Sequence, residues 1–176
     1  MVSYRRNRVS GGTYFFTVTL RDRSSGLLIE RVDLLRRTMR EVKRHKPYRV
    51  EAIVVLPDHL HAIWTLPEND SDYSGRWRRI KGLFSRCLRD IECSIARNAR
   101  GEYDVWQRRF WEHTIRDDTD LQRHVDYIHY NPVRHGYVQR VADWPYSSFH
   151  RYVRMGWLPT DWGGDHSYTS DRQFGE

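Results

Sequence analysis

The sequence predicts an α+β fold, an antiparallel sheet with helices packed largely on one face. Three observations predict it. Short stretches rich in Val, Ile, Thr and aromatic residues carry the two-residue period of a strand. Longer stretches repeat apolar residues every three or four positions, the period of a helix. The order of these stretches is βα, then a hairpin, then αβα.

Each element has its own signal. TYFFTVTL, Thr13 to Leu20, follows the Gly11-Gly12 break and is dense in β-formers, so it reads as a strand. RDRSSG is a loop. From about Ile29 to Lys46, Leu34, Leu35, Met39 and Val42 fall at helical spacing, and Pro47 follows the helix end. YRVEAIVVL, Tyr48 to Leu56, and HLHAIWTL, His59 to Leu66, are strands joined by the tight Pro57-Asp58 break as a hairpin. A long basic helix runs from about Gly75 to Asn98, with Trp77, Ile80, Phe84, Leu88 and Ile91 as its apolar stripe. WQRRFWEHTI, Trp106 to Ile115, contains a short strand after a loop. Asp117 to Asn131 is a helix with acids at its N-terminal end, where the helix dipole favours them. Pro132 disfavours helical geometry at Asn131, so that helix should end there. WPYSSFHRYV suggests a packed turn and short helix. Residues 1–155 form one domain with a basic N-terminal arm, and 156–176, rich in Gly, Pro, Asp and Ser, read as a loose tail.

Composition narrows the partner. The 176 residues carry a formal net charge of +7, Arg outnumbers Lys, and aromatics make up 14% of the chain. Arg binds phosphate bidentately and stacks on bases, as aromatic rings do, which points to nucleic acid with unpaired bases. The two cysteines, Cys87 and Cys93, make no CxxC pair, so a zinc finger is excluded and reduced thiols in a cytoplasmic protein are expected. No apolar run is long enough to span a membrane, and the start of the chain, MVSYRRNRVSGG, lacks a signal peptide's apolar stretch.

One stretch carries chemistry. In VVLPDHLHAIWTL, Leu60, Ala62, Trp64 and Leu66 share one strand face and His59 and His61 share the other. Two imidazoles side by side with a packed face behind them look like half of a metal site. The Asp117 to Asn131 helix supplies candidates for the rest. Beside its apolar stripe of Leu121, Val125 and Ile128 runs a polar one of Asp120, His124, Tyr127 and Asn131. Tyr127 and Asn131 are one turn apart, so a phenol could come close to a metal held by His59, His61 and Asn131. Tyr130 is a rival phenol about 60° round the helix, without the one-turn relation to Asn131. His124 could assist proton transfer or simply be exposed, and His113 and His129 read as structural or solvent-facing.

These residues resemble a known family. PDHLH, with YIHYNPV far downstream, is similar to the HUH single-strand endonucleases (His, a hydrophobic residue, His) that use one catalytic tyrosine. The resemblance is strongest to the REP-associated tyrosine transposases of bacteria. It runs through YRR and the following GG, FFTV, AIVVLPDHLHAIWTLP, RWRRIKGLFSR, VWQRRFWEHTIRD, HVDYIHYNPVRHG and DWPYSSFHRYV. It implies a ferredoxin-like or RRM-like core, His59, His61 and Asn131 as ligands of Mg²⁺ or Mn²⁺, and Tyr127 as the nucleophile. It implies cleavage and rejoining of REP-type hairpin DNA through a 5′-phosphotyrosine, with duplex DNA a poor substrate. A monomer acting in cis is expected, although some related transposases are dimers that exchange the tyrosine helix, and nucleoid association follows from the substrate. The alternatives are a non-catalytic, domesticated hairpin-binding protein and a phosphodiesterase using activated water.

Three basic clusters are candidates for the DNA path. Arg5, Arg6 and Arg8 form the arm, Arg76, Arg78 and Lys81 surround Trp77, and Gln107, Arg108 and Arg109 follow Trp106. Alternating cations and rings suit a folded single strand, with charge on phosphates and rings on bases. Some of these aromatics must be core, with Phe84 and one of Trp106 or Trp111 the expected members.

Overall fold

Thr13–Thr19 forms β1, which pairs antiparallel with His59–Thr65 (β3) on one side and Trp111–Thr114 (β4) on the other in the computed structural model. The structure describes residues 7–91, 97, 99, 101 and 103–164; Arg5, Arg6, Cys93 and residues 165–176 lie outside them. Arg49–Val55 (β2) pairs antiparallel with β3 across the Pro57-Asp58 turn, giving a four-stranded sheet of order β2-β3-β1-β4. The α+β architecture and the hairpin are those expected.

Each strand has two apolar faces, and each face needs a cover. Tyr14, Phe16 and Val18 of β1, with Leu60, Ala62 and Trp64 of β3, look towards Val32–His45 (α2) and Tyr73–Ile91 (α3). The short helix Leu27–Glu30 (α1) leads into α2. Tyr48 and Trp77 sandwich Trp64, each with ring centroids 4.1 Å from it. Burying a side chain of this size contributes about 1.5–3 kcal/mol, so this stack anchors the layer. Phe15 of β1, Ile63 of β3 and Ala52 and Val54 of β2 look the other way, where Asp118–Arg134 (α4) lies across them. The two longest helices besides α4 therefore share one face, and α4 crosses the face that carries His59 and His61.

Two ends set up the site. Asp117 caps α4, its carboxylate accepting from the Asp120 N–H at 2.8 Å. At the other end α4 does not stop at Asn131. It runs one turn further, to Arg134, with Pro132 inside it. Proline removes only its own N–H bond, and this late in the helix the loss falls beside an end already closed by other donors. The Tyr137 N–H reaches back to the Pro132 carbonyl at 3.0 Å and the Gly136 N–H to the Val133 carbonyl at 2.9 Å, with Gly136 at φ +72. That is a Schellman ending, which needs the left-handed backbone that glycine adopts freely.

Beyond α4 the chain makes a 3-10 turn at Val141–Asp143 and a helix at Phe149–Arg154 (α5), the short packed turn and helix expected there. Residues 156–164 are described as turns, with Trp162 packed 6.2 Å from both Phe149 and His129.

Candidate active site

His59 and His61 lie on β3 opposite Thr19 and Thr17 of β1, both fully buried, with ring centroids 4.9 Å apart. Each ring is held at its Nδ1. The Asp58 carboxylate is 2.7 Å from Nδ1 of His59. A carboxylate only accepts, so this nitrogen carries a proton and donates it to Asp58. Thr17 Oγ1 is 2.9 Å from Nδ1 of His61. Nε2 of His59 has no hydrogen-bond partner among the described residues; Nε2 of His61 and Oδ1 of Asn131 also make no hydrogen bond, though both residues have other interactions.

Asp58 is itself pinned. Its second oxygen accepts from Nε of Arg23 at 2.5 Å. Burial pushes its carboxyl up, but the hydrogen bonds and charges of His59 and Arg23 outweigh this and hold it below the usual carboxylate range. Carboxylate–histidine pairs of this kind orient ligating imidazoles and raise their basicity.

The tyrosine helix completes the cluster. Tyr127 is buried against His61, with ring centroids 5.2 Å apart, and against Phe15 at 5.9 Å. Asn131, one turn on, is fully buried in α4. The Arg134 guanidinium stands 5.5 Å from the Tyr127 ring centroid. Tyr130 faces elsewhere, towards Gly163. The structure thus brings the histidine pair and Tyr127 together within one chain. Imidazole nitrogens are ligands that suit a divalent cation.

A second histidine cluster adjoins this one. His113 of β4, Asp120 and His124 offer ligand atoms within 4.8 Å of one another. They are already bonded to each other. His113 Nε2 is 2.8 Å from Asp120 Oδ2, and His124 Nδ1 is 2.8 Å from the Asp120 carbonyl. The cluster ties β4 to α4. Burial lowers the His124 pKa, and its ring packs on Phe15 at 4.9 Å. His124 is therefore buried rather than exposed, His113 is structural, and His129 is buried beside Ser148 at 3.0 Å.

The basic clusters divide. Arg76 is a correction. It is 1% exposed and donates to Asp70 at 2.7 Å, to the Pro47 carbonyl at 2.7 Å and to the Asp72 carbonyl at 2.9 Å. It locks the turn after α2 to the start of α3 and cannot reach a strand of DNA. Trp77 is the buried partner of Trp64 and also borders the groove between α3 and the segment before β4. Trp106 packs on Phe84 at 5.3 Å and is nearly all core. Arg8, Arg78, Lys81, Gln107 and Arg108 line one groove between α3 and the segment before β4, whose floor Trp77 and Trp106 help to form. Lys81 donates to the Gln107 carbonyl at 2.8 Å, and Arg108 and Arg109 are exposed.

The model of a protein family described as IS200-like transposases matches residues 8–131. This chain belongs to that family. The transposase is 50% identical over 165 residues to the REP-associated tyrosine transposase of Escherichia coli K12, covering 94% of this chain and 93% of the relative. A relative from Haemophilus influenzae is 48% identical over 168 residues, with 94% and 95% covered. A solved structure of a REP-associated tyrosine transposase bound to a REP hairpin superposes with a TM-score of 0.87 at 48% identity, over 100% of this transposase and 98% of that chain. Membership makes the transposase an enzyme of DNA cleavage and strand transfer, and the expected family and fold hold. No helix among its described residues is long and apolar enough to cross a membrane.

Sequence reasoning missed four residues at the site. Asp58 was legible as a turn residue, but not as the support of His59. Phe15 and Thr17 lie in FFTV and Arg134 in HVDYIHYNPVRHG, but no role attached to them in the sequence, and it is the strand register and the length of α4 that place them at the site.

Proposed function

We propose that this transposase cleaves and rejoins single-stranded REP-type hairpin DNA, with Tyr127 as nucleophile. The observation that carries the reading is Tyr127 packed on His61 of its own chain, beside a histidine pair whose Nδ1 atoms are both tied back. The Tyr127 oxygen attacks the scissile phosphorus. The bond from phosphorus to the 3′ oxygen breaks, the phenol proton is lost, and the 3′ oxygen leaves as a hydroxyl. The 5′-phosphotyrosine keeps the phosphodiester energy, so a 3′-hydroxyl can attack it and restore the phenol without ATP.

Mg²⁺ or Mn²⁺, held by His59, His61 and Asn131, would supply positive charge against the scissile phosphate. The residues of the chain do the rest. Asp58 and Thr17 fix the two imidazoles. Phe15 and His61 wall the phenol off from water. Arg134 places a cation 5.5 Å from the centroid of the Tyr127 ring. The groove between α3 and the segment before β4, with Arg8, Arg78, Lys81, Gln107 and Arg108, would take phosphates of the hairpin, with exposed Arg109 beside it and the arm residues Arg5 and Arg6 adding charge. Tyr127 and His61 meet within one chain, which supports a monomer acting in cis.

The test is covalent capture. A labelled hairpin from the repeats near the gene, incubated with Mn²⁺, should give a protein–DNA adduct on denaturing gels. Tyr127→Phe and chelator should each abolish it. Tight binding with no adduct would replace this reading with a hairpin-binding protein, and an adduct retained by Tyr127→Phe would move the nucleophile to Tyr130.

A further inference from the structure

We propose that Arg23 grips one backbone phosphate of the unpaired strand on its way from the hairpin groove to the histidine pair, and so positions the scissile phosphate. The inference rests on the single-strand reading above and adds a phosphate site to it.

The end of β1 joins the two regions. Thr19, its last residue, lies opposite His59 on one side, and on the other its carbonyl accepts from the Gln107 N–H at 2.9 Å. Leu20 donates its N–H to the Asp58 carbonyl at 2.7 Å and bridges Trp106. The Arg21 N–H donates to the Val105 carbonyl at 2.9 Å. The loop of residues 21–26 therefore stands between the Pro57-Asp58 turn and the Trp106-Gln107 segment that lines the groove. Its far end is tied down as well, by the Leu28 N–H on the Pro57 carbonyl at 3.1 Å. Within the loop Asp22 accepts from the Ser24 N–H at 2.9 Å and from the Ser24 hydroxyl at 2.6 Å, which makes an Asx turn. A strand that leaves the groove and rounds this end of the sheet to reach His59 crosses this loop.

Arg23 is the cation that such a strand meets. Its Nε donates to Asp58 Oδ2 at 2.5 Å, and this is its one hydrogen bond among the described residues. The Arg23 side chain is 48% exposed, whereas that of Asp58 is 8% exposed. A guanidinium carries five N–H donors in a rigid plane, and the Nε bond uses one of them. The two terminal amino groups remain, in the fork that matches a phosphate with two parallel bonds. Gripping an anion normally costs an arginine its rotamer freedom, but the Asp58 bond has already ordered this one. The other Asp58 oxygen accepts from His59 Nδ1 at 2.7 Å, so one carboxylate sets both the cation and the imidazole. A phosphate on Arg23 is thereby held in register with the histidine pair, which is how a contact away from the reacting bond improves its placement.

The experiment measures hairpin binding by full-length protein at saturating Mn²⁺, with Tyr127→Phe present to prevent cleavage. The probes are the hairpin of the adduct assay with its unpaired flank, the same hairpin without the flank, and flanked hairpins in which one phosphate at a time is a neutral methylphosphonate. Arg23→Ala should weaken binding of the flanked hairpin about tenfold and leave the unflanked one unchanged. With Arg23 intact, one methylphosphonate should weaken binding to the same extent, and at that linkage Arg23→Ala should add no further loss. Arg23→Lys, a point charge without the fork, should recover only part of the affinity. Unchanged binding of the flanked hairpin by Arg23→Ala, with only its Mn²⁺ requirement raised, would make Arg23 a support for Asp58 alone and overturn the proposal. So would equal losses on the two hairpins, or losses that add at every linkage. Adduct formation by the wild type, measured separately, reports on the function itself, so failure of one is distinguishable from failure of the other.

Discussion

Asp58→Asn tests whether the histidine pair holds a metal. The Asp58 carboxylate joins two partners, His59 Nδ1 at 2.7 Å and Arg23 Nε at 2.5 Å, and lies buried between them. The Arg23 side chain is half in solvent, so its share is screened. The bond to His59 is not. Losing a support of this kind typically lowers metal affinity ten- to a hundredfold, about 1.4–2.7 kcal/mol. The amide oxygen of Asn still accepts from Nδ1 but carries no charge, and charge-assisted bonds are about twice as strong as neutral ones. Asn should therefore sit near the tenfold end. Asp58→Ala, which leaves a buried N–H without a partner, should sit near the hundredfold end. The assay is the Mn²⁺ concentration that gives half-maximal adduct. It should rise in that order, with the plateau recovered at high Mn²⁺ and metal-free hairpin binding unchanged. A lower plateau at an unchanged half-maximal concentration would refute the reasoning, because Asp58 would then act on something other than the ion.

Four further outcomes are expected. Arg76→Met should lower unfolding free energy by roughly 3 kcal/mol through its lost buried hydrogen bonds and leave hairpin affinity of the folded protein unchanged, whereas Arg78→Ala should weaken binding and reduce the salt slope by about 1; denaturant melts and salt titrations separate the two. Gly136→Ala forces a Cβ into the left-handed region and should cost about 1–2 kcal/mol in the same melts, although its Cβ would meet nothing within 4 Å. Burial holds His129 neutral with a pKa of about 3, far below the value near 6.5 of the unfolded chain. The unfolded chain therefore binds a proton that the folded one refuses, so stability falls as pH drops from about 6.5 towards 3, by on the order of 5 kcal/mol at most. Thermal melts across that range should show a shallower slope in His129→Gln, and equal slopes would show that His129 is not the group responsible.

Much of the site was legible because strand alternation is strict. Once β3 runs from His59 to Thr65, His59 and His61 must share a face, and the one-turn spacing of Tyr127 and Asn131 must put them on one stripe of α4. What alternation cannot give is which face is buried when both are covered. Phe15 and Ile63 make the histidine face as apolar as the other, so the two imidazoles are buried beneath α4. The helix end was misplaced for a different reason. The bias before proline is local, and it lost to the tertiary and turn hydrogen bonds that close α4 three residues later.

The basic clusters show the same limit from the other side. Arg76 and Arg78 stand two apart on a helix, nearly 200° round it, so only one of them can face the groove while its neighbour faces the core. The sequence shows the charge of both, but only packing decides its use. For Arg76 it is spent on Asp70 and the backbone carbonyls of Lys46, Pro47 and Asp72, acceptors that fix a buried guanidinium in place. A net charge of +7 thus overstates the binding surface. The groove takes its positive character from Arg8, Arg78, Lys81 and Arg108, and those four should carry the salt dependence of hairpin binding.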